Sequence, residues 1–419
     1  MTEEVIHAKR IKLDTDETNV SNERCEADES TKWKIKAILS DEYYEPLKRC
    51  FAYAGVLNDT KLIGKVMNEI YQRMPLNELN HLKRVNKTKL LLCSMNEMLQ
   101  FLCENHENES IQAMLPLINT TADGQLATED DLRVAKDEVT ISLAKLYMTS
   151  KEISTEVIAV LTEKVEIAAV SAEAPVLSWQ YADVAKDWPC KFHPNKDLEK
   201  MYNGKWFTDT DTAFHTKIME ICGFLCKELK KQVSGIAVDP RTKSIVAIGF
   251  DECDRHPLMH CTMVLIDGVA RSQNGGAWNE YLVNTELYSN DESAEYTQYG
   301  VSSYLRRLIT SKFPAIDGGR SITFGAERVR SDAESRQILD IDVNSDNLAK
   351  YGPYLCTGYD VYLWREPCVM CSMALTHSRI RTIFFHQTQS KGAIRSLTKL
   401  QSVKALNHHF QVFHITADS

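Results

Sequence analysis

Long apolar runs are missing from this 419-residue chain. No window approaches the roughly 18 uninterrupted apolar residues that a membrane-crossing helix needs, so no membrane partner is expected. The opening stretch MTEEVIHAKRIKLD is too acidic and polar for a secretory signal, which points to the nucleus and cytoplasm. Twelve cysteines are present, but without the dense spacing of a small secreted scaffold. That excludes a disulfide framework and implies reduced thiols, most of them packed as small hydrophobes. Positive charge is in deficit: the formal net charge of −9 excludes a uniformly basic coat, so any RNA contact has to come from a local patch or from a partner. What remains, 43% hydrophobic and 26% charged residues, is ordinary for a globular protein of two or three domains.

Residues 1–31 carry seven acidic side chains between Asp14 and Glu29 and almost nothing to bury, and they read as a disordered acidic tail. Residues 32–167 read as an α+β N-terminal domain. WKIKAIL alternates like a strand, Leu62–Met74 keeps helical spacing, and KTKLLLCS is a buried strand followed by a helix from Met95 to Leu102. Its HLKRVNKTK segment gathers Lys83, Arg84, Lys87 and Lys89, either a solvated strand edge or an electrostatic footprint for RNA phosphates. Residues 168–200 lack a clean period and read as a linker.

A second domain, 201–419, opens with an amphipathic helix that places Phe214, Ile218, Ile221, Cys222, Leu225 and Leu229 on one stripe. A hairpin of VSGIAV and SIVAIGF follows, and then a helix expected to open at Pro257 and to carry His260. After a polar insertion at about 275–349, YDVYLW is a strand, Pro367 opens a helix with Cys368 and Cys371, and RTIFFH is a buried strand. Within the insertion, YLRRLITSKF is either a basic contact surface or a short surface helix. The order helix, hairpin, helix, strand, helix, strand makes an α/β fold with helices packed on a sheet.

Cys368 and Cys371, three apart at a helix start, lie on neighbouring faces, and the helix N-terminus favours their thiolates. With His260 they form a three-ligand set suited to Zn2+ with a fourth position left over. One residue type is absent where it matters. In the zinc nucleobase deaminases, H-x-E paired with P-C-x-x-C places a proton-carrying glutamate two residues after the histidine, and here that position holds Thr262.

HPLMH at 256–260, PYLCTGYDVYLWREPCVMCSMALTHSRI at 353–380 and LNHHFQVF at 406–413 resemble that superfamily. Within it the chain is most similar to the non-catalytic, subunit-three branch of the eukaryotic heterodimeric tRNA wobble-adenosine deaminases. HLKRV and WPCKFHPNK resemble that branch as well. The resemblance implies a three-layer cytidine-deaminase-like domain with helices on a mixed sheet, preceded by the smaller α+β domain. It also implies a zinc ion without a catalytic residue, a catalytic zinc deaminase paralogue as heterodimer partner, and tRNA as the bound substrate. Family members of this branch carry an apolar residue at the shuttle position, and Thr262 departs from that only mildly. Glu252 and Glu366 are the carboxylates that could lie near enough to stand in. Two rival readings stay open: a self-sufficient deaminase with an unrecognised proton shuttle, and a zinc-stabilised interaction module with no RNA role.

Overall fold

The computed structural model describes residues 33–57, 61, 63–118, 128–272, 276–278, 287–288, 301–316, 319–325 and 356–417. The acidic tail and most of the polar insertion lie outside them. Among the described residues no helix is long and apolar enough to cross a membrane.

Among the described residues, eleven strands form two sheets. They are β1 (Trp33–Ala37), β2 (Arg49–Val56), β3 (Val85–Asn86), β4 (Lys89–Ser94), β5 (Val165–Ser171), β6 (Ser234–Asp239), β7 (Ser244–Phe250), β8 (Thr323–Phe324), β9 (Asp360–Arg365), β10 (Thr382–Gln387) and β11 (Gln411–Ala417). The smaller sheet has the order β3-β4-β2-β5 and the larger β1-β11-β10-β9-β6-β7-β8. Strand β5 begins before residue 168, so the stretch read as the start of a linker belongs to the small sheet, where Val165 to Ser171 pair with β2. Beyond it the linker carries two short helices, Ser178–Val184 and Lys196–Tyr202.

The first strand departs from its sequence reading. WKIKA alternates as expected, but it pairs antiparallel with β11, Trp33 opposite Ala417, at the edge of the large sheet. Alternation fixes which side chains share a face; it does not say which strand will pair. Trp33 and Ile35 accordingly pack on the large sheet's core.

The large sheet is covered on both faces, which makes three layers. On one side the helix Asp209–Glu228, capped by the Thr208 hydroxyl, buries Phe214, Ile218, Ile221, Cys222 and Leu225. The helix Ser303–Lys312 adds Leu305 and Ile309 to the same core, so this part of the polar insertion is a regular element whose basic residues ride on a buried stripe. On the other side, the helices Cys261–Ser272 and Val369–His377 contribute Cys261, Leu265, Val269 and Leu375.

Strand direction positions everything that follows. β6 runs antiparallel to both β7 and β9, and β10 is parallel to β9. β7, β9 and β10 therefore point the same way, and their carboxyl ends converge on one edge, where ligand sites of open α/β sheets gather. Gly249 lets the helix Cys261–Ser272 sit directly on β7, because a Cβ there would come within 2.6 Å of the Leu265 nitrogen.

His215 sits in the core between Phe384, centroids 4.4 Å apart, and Phe207, and its Nδ1 meets the Tyr362 hydroxyl at 2.6 Å. Burial lowers its pKa from 6.5 to about 3, with Arg381 and Lys243 adding to the effect and Asp211 opposing it. The unfolded chain thus binds one more proton between these values. The stability this neutral imidazole confers is complete above about pH 6.5 and drains as the pH falls toward 3. In denaturant titrations across that window, His215→Gln should give a shallower pH dependence, by up to about 1.4 kcal/mol per pH unit; an unchanged slope would contradict the assignment.

Candidate metal centre

The loop after β7 reverses at Glu252–Met259, where Met259 N–H donates to His256 O and Glu252 N–H to Met259 O. This turn absorbs Pro257, so the helix starts later than the proline suggests, at Cys261, and His260 is its capping residue with its carbonyl accepting from Met263 and Val264. After β9, Pro367 leads into Cys368, again the cap and not the first residue of its helix Val369–His377. Cys371 is then the third helical residue, one turn above Cys368. Two strands of like direction thus deliver two helix starts to one place. The His260 and cysteine ligand atoms all lie within 4.8 Å of one another, with Cys368 Sγ 3.7 Å from His260 Nδ1.

The donors fit a zinc ion. A tetrahedral Zn2+ with Zn–S of about 2.3 Å and Zn–N of about 2.0 Å holds sulfur and nitrogen roughly 3.5 Å apart. The thiols are prepared for it as well. Cys368 has its pKa pulled down to about 5, first by the hydrogen bond from the Cys371 thiol, and further by the backbone N–H groups of Cys371 and Met370 and by His260, against burial. Cys371 is pushed the other way, first by its hydrogen bond with Cys368 and then by burial. Cys261 points elsewhere, its Sγ donating to Gly249 O at 3.3 Å.

Thr262 is buried, and its hydroxyl favours the Cys371 thiolate. The group standing where a proton carrier belongs is turned toward a ligand and has no charge to exchange. Neither nearby carboxylate is free to replace it. Glu252 pairs with Lys231 at 2.7 Å and Arg255 at 3.5 Å. Glu366 is buried and receives the N–H groups of Arg395 at 2.8 Å, Ser396 at 2.9 Å, Ile394 at 3.3 Å and Gln389 at 3.3 Å, and the Ser396 hydroxyl at 2.5 Å. Gly392 is required beside it, since a Cβ there would fall 2.0 Å from the Glu366 carboxyl carbon. Sequence reasoning weighed Glu366 only as a proton carrier and missed this clasp; the acid-free, glycine-bearing stretch after β10 was the available signal.

The basic segment near residue 85 divides. Lys83 and Lys87 are exposed, and Lys87 turns the β3–β4 connection at φ 56°. Lys87 and Lys89 line an open cleft of ≈ 390 Å³ together with Asp187 and Trp188. Lys89 pairs with Glu166 at 2.5 Å. Arg84 is not a surface cation. It is buried, donating to Leu91 O at 2.7 Å, Leu92 O at 3.2 Å and Met74 O, and burial lowers its pKa to about 10. A guanidinium that answers three carbonyls is structural, so Arg84 is withdrawn as an RNA contact.

No protein-family model matches the sequence. The chain is homologous along most of its length to proteins named as inactive deaminases. It is 28% identical over 393 residues to the probable inactive tRNA-specific adenosine deaminase-like protein 3 of Danio rerio, covering 91% of each chain. It is 24% identical over 390 residues to the Homo sapiens protein of the same name, covering 92% of this chain and 90% of that one. To the tRNA-specific adenosine deaminase TAD3 of Arabidopsis thaliana it is 25% identical over 420 residues, covering 92% of this chain and 96% of the relative.

Cys368→Ala should abolish stoichiometric zinc in the purified chain. Glu366→Ala, with all three ligands intact, should weaken zinc by about 10- to 100-fold in competition with a chromophoric chelator. Wild-type retention by both variants would remove the metal assignment.

Proposed function

We propose that this chain is the non-catalytic, zinc-binding subunit of a heterodimeric tRNA adenosine deaminase that converts adenosine to inosine at the wobble position of tRNA anticodons. It pairs with a catalytic zinc deaminase paralogue and binds tRNA in the nucleus and cytoplasm. The observation that carries this reading is Thr262. The position two residues after His260 holds a hydroxyl in place of a carboxylate, and the neighbouring carboxylates, Glu252 and Glu366, are both engaged. General acid–base assistance is worth about 10² to 10⁴ in rate, and none of Thr262, Glu252 and Glu366 is placed to supply it. The length-spanning similarity to proteins named as inactive supports the same conclusion.

On this reading residues 201–419, completed by β1, are a cytidine-deaminase-like body, and His260, Cys368 and Cys371 hold the zinc. When bound, that ion would supply folding free energy by tying two helix starts together, and would keep a deaminase-shaped surface for the catalytic partner. Residues 38–171 form the smaller body, with Lys83, Lys87 and Lys89 offered to tRNA phosphates, and single-stranded anticodon loops are where RNA bases can be splayed into a pocket.

The deciding measurement is inosine formation on transcript tRNA by this chain, by its catalytic paralogue, and by the two together. Product is expected only from the mixture. Turnover at enzymatic pace by this chain alone would favour a self-sufficient deaminase, and failure of the mixture to retain tRNA at moderate salt would favour an interaction module without an RNA role.

A further inference from the structure

Between β10 and β11, residues 388–410 carry Lys391, Arg395, Lys399 and Lys404 and not one Asp or Glu, in a protein of formal charge −9. This stretch is pressed against the metal centre. Cys368 and Gly392 form an antiparallel bridge, Ala393 N–H donates to Pro367 O at 2.9 Å, and the Glu366 carboxylate gathers the N–H groups of Gln389, Ile394, Arg395 and Ser396. Lys391 is thereby fixed one residue from the bridge to Cys368, and the backbone of Arg395 is tied three residues from it.

Two of the four cations are already answered by carboxylates, Lys399 by Asp41 and Lys404 by Glu42 at 3.7 Å. Lys391 and Arg395 are exposed and make no ion pair among the described residues. The nearest partner of the Arg395 guanidinium is His414, whose Nδ1 lies 2.8 Å away. Burial holds that imidazole's pKa down to about 4, so it accepts as a neutral base and leaves the guanidinium charge uncompensated.

We propose that Lys391 and Arg395 hold RNA phosphates, so that the RNA backbone passes over the rim of this chain's own metal centre as well as over the small sheet. The inference rests on the tRNA reading above and goes beyond it by naming a second contact. Lysine is depleted at protein–protein interfaces, whereas half or more of the hydrogen bonds to nucleic acid go to phosphate and sugar, with Lys and Arg prominent among the donors. Exposed cations on a backbone immobilised by a buried carboxylate meet a phosphate without first paying the entropy of ordering a loop. Leu397 and Val403, 62% and 40% exposed, share the loop, so a protein face is the occupant to be tested against.

The test uses the full-length zinc-loaded chain and transcript tRNA, with filter binding across a salt series. The double variant Lys391→Ala/Arg395→Ala should bind about tenfold or more weakly at low salt. Its slope of log K against log salt should fall by about 1.4 to 1.8, two phosphate contacts' worth, while Lys391→Arg/Arg395→Lys keeps the wild-type slope. Circular dichroism melting should be unchanged, since Arg395 reaches Glu366 through its backbone N–H. Wild-type binding with an unaltered slope in the double variant would overturn this proposal and leave the tRNA reading intact. No tRNA binding by the wild type would overturn both. Loss of co-elution with the catalytic paralogue at an unaltered slope would overturn it in favour of a protein face.

Discussion

Three strands that run the same way set the terms for the rest of the molecule. Because β7, β9 and β10 share a direction, the loops leaving them open at one edge of the sheet. Each of the first two loops leads into a helix, on a face where Gly249 lets one of those helices lie against the strand without an intervening side chain. A helix start is where unpaired N–H groups and the positive end of the dipole are found, so a thiol delivered there gives up its proton readily. The third loop, after β10, has no helix to deliver; it folds back and is clasped by the carboxylate that precedes the cysteine motif.

The centre that results is complete as a binder and incomplete as a catalyst. His260, Cys368 and Cys371 converge, with Cys368 held toward the thiolate and Cys371 toward the thiol. Of the groups weighed as proton carriers, Thr262 does not ionise, Glu252 is engaged with two cations and Glu366 with five donors. The same buried carboxylate that shapes the pocket wall is thereby removed from acid–base work, which separates holding a shape from doing chemistry at the level of single residues.

Much of this was legible in the chain itself, and the rest was hidden for identifiable reasons. The C-x-x-C spacing is local, so the neighbouring placement of Cys368 and Cys371 follows from helix geometry alone, and the long amphipathic helix from Asp209 declares itself by its stripe. Helix starts were read one to four residues early, because a proline favours the first helical position and equally favours the turn before it, and at Pro257 the turn prevails. Arg84 was misread because a Lys/Arg-rich segment shows charge and not which carbonyls of the strands opposite lack partners. The helix Ser303–Lys312 lay in a stretch whose polar flanks masked two buried residues, Leu305 and Ile309. Tertiary pairing of distant segments leaves no local trace, and β1 is the clearest instance.

That pairing also orders events in time. Trp33–Ala37 is made well before the strand it lies beside, Gln411–Ala417. The edge of the large sheet therefore closes only once Gln411–Ala417 has been made, through a contact of long sequence separation. The small sheet is threaded between β1 and the remainder of the large sheet, so that closure brings together the chain on either side of it.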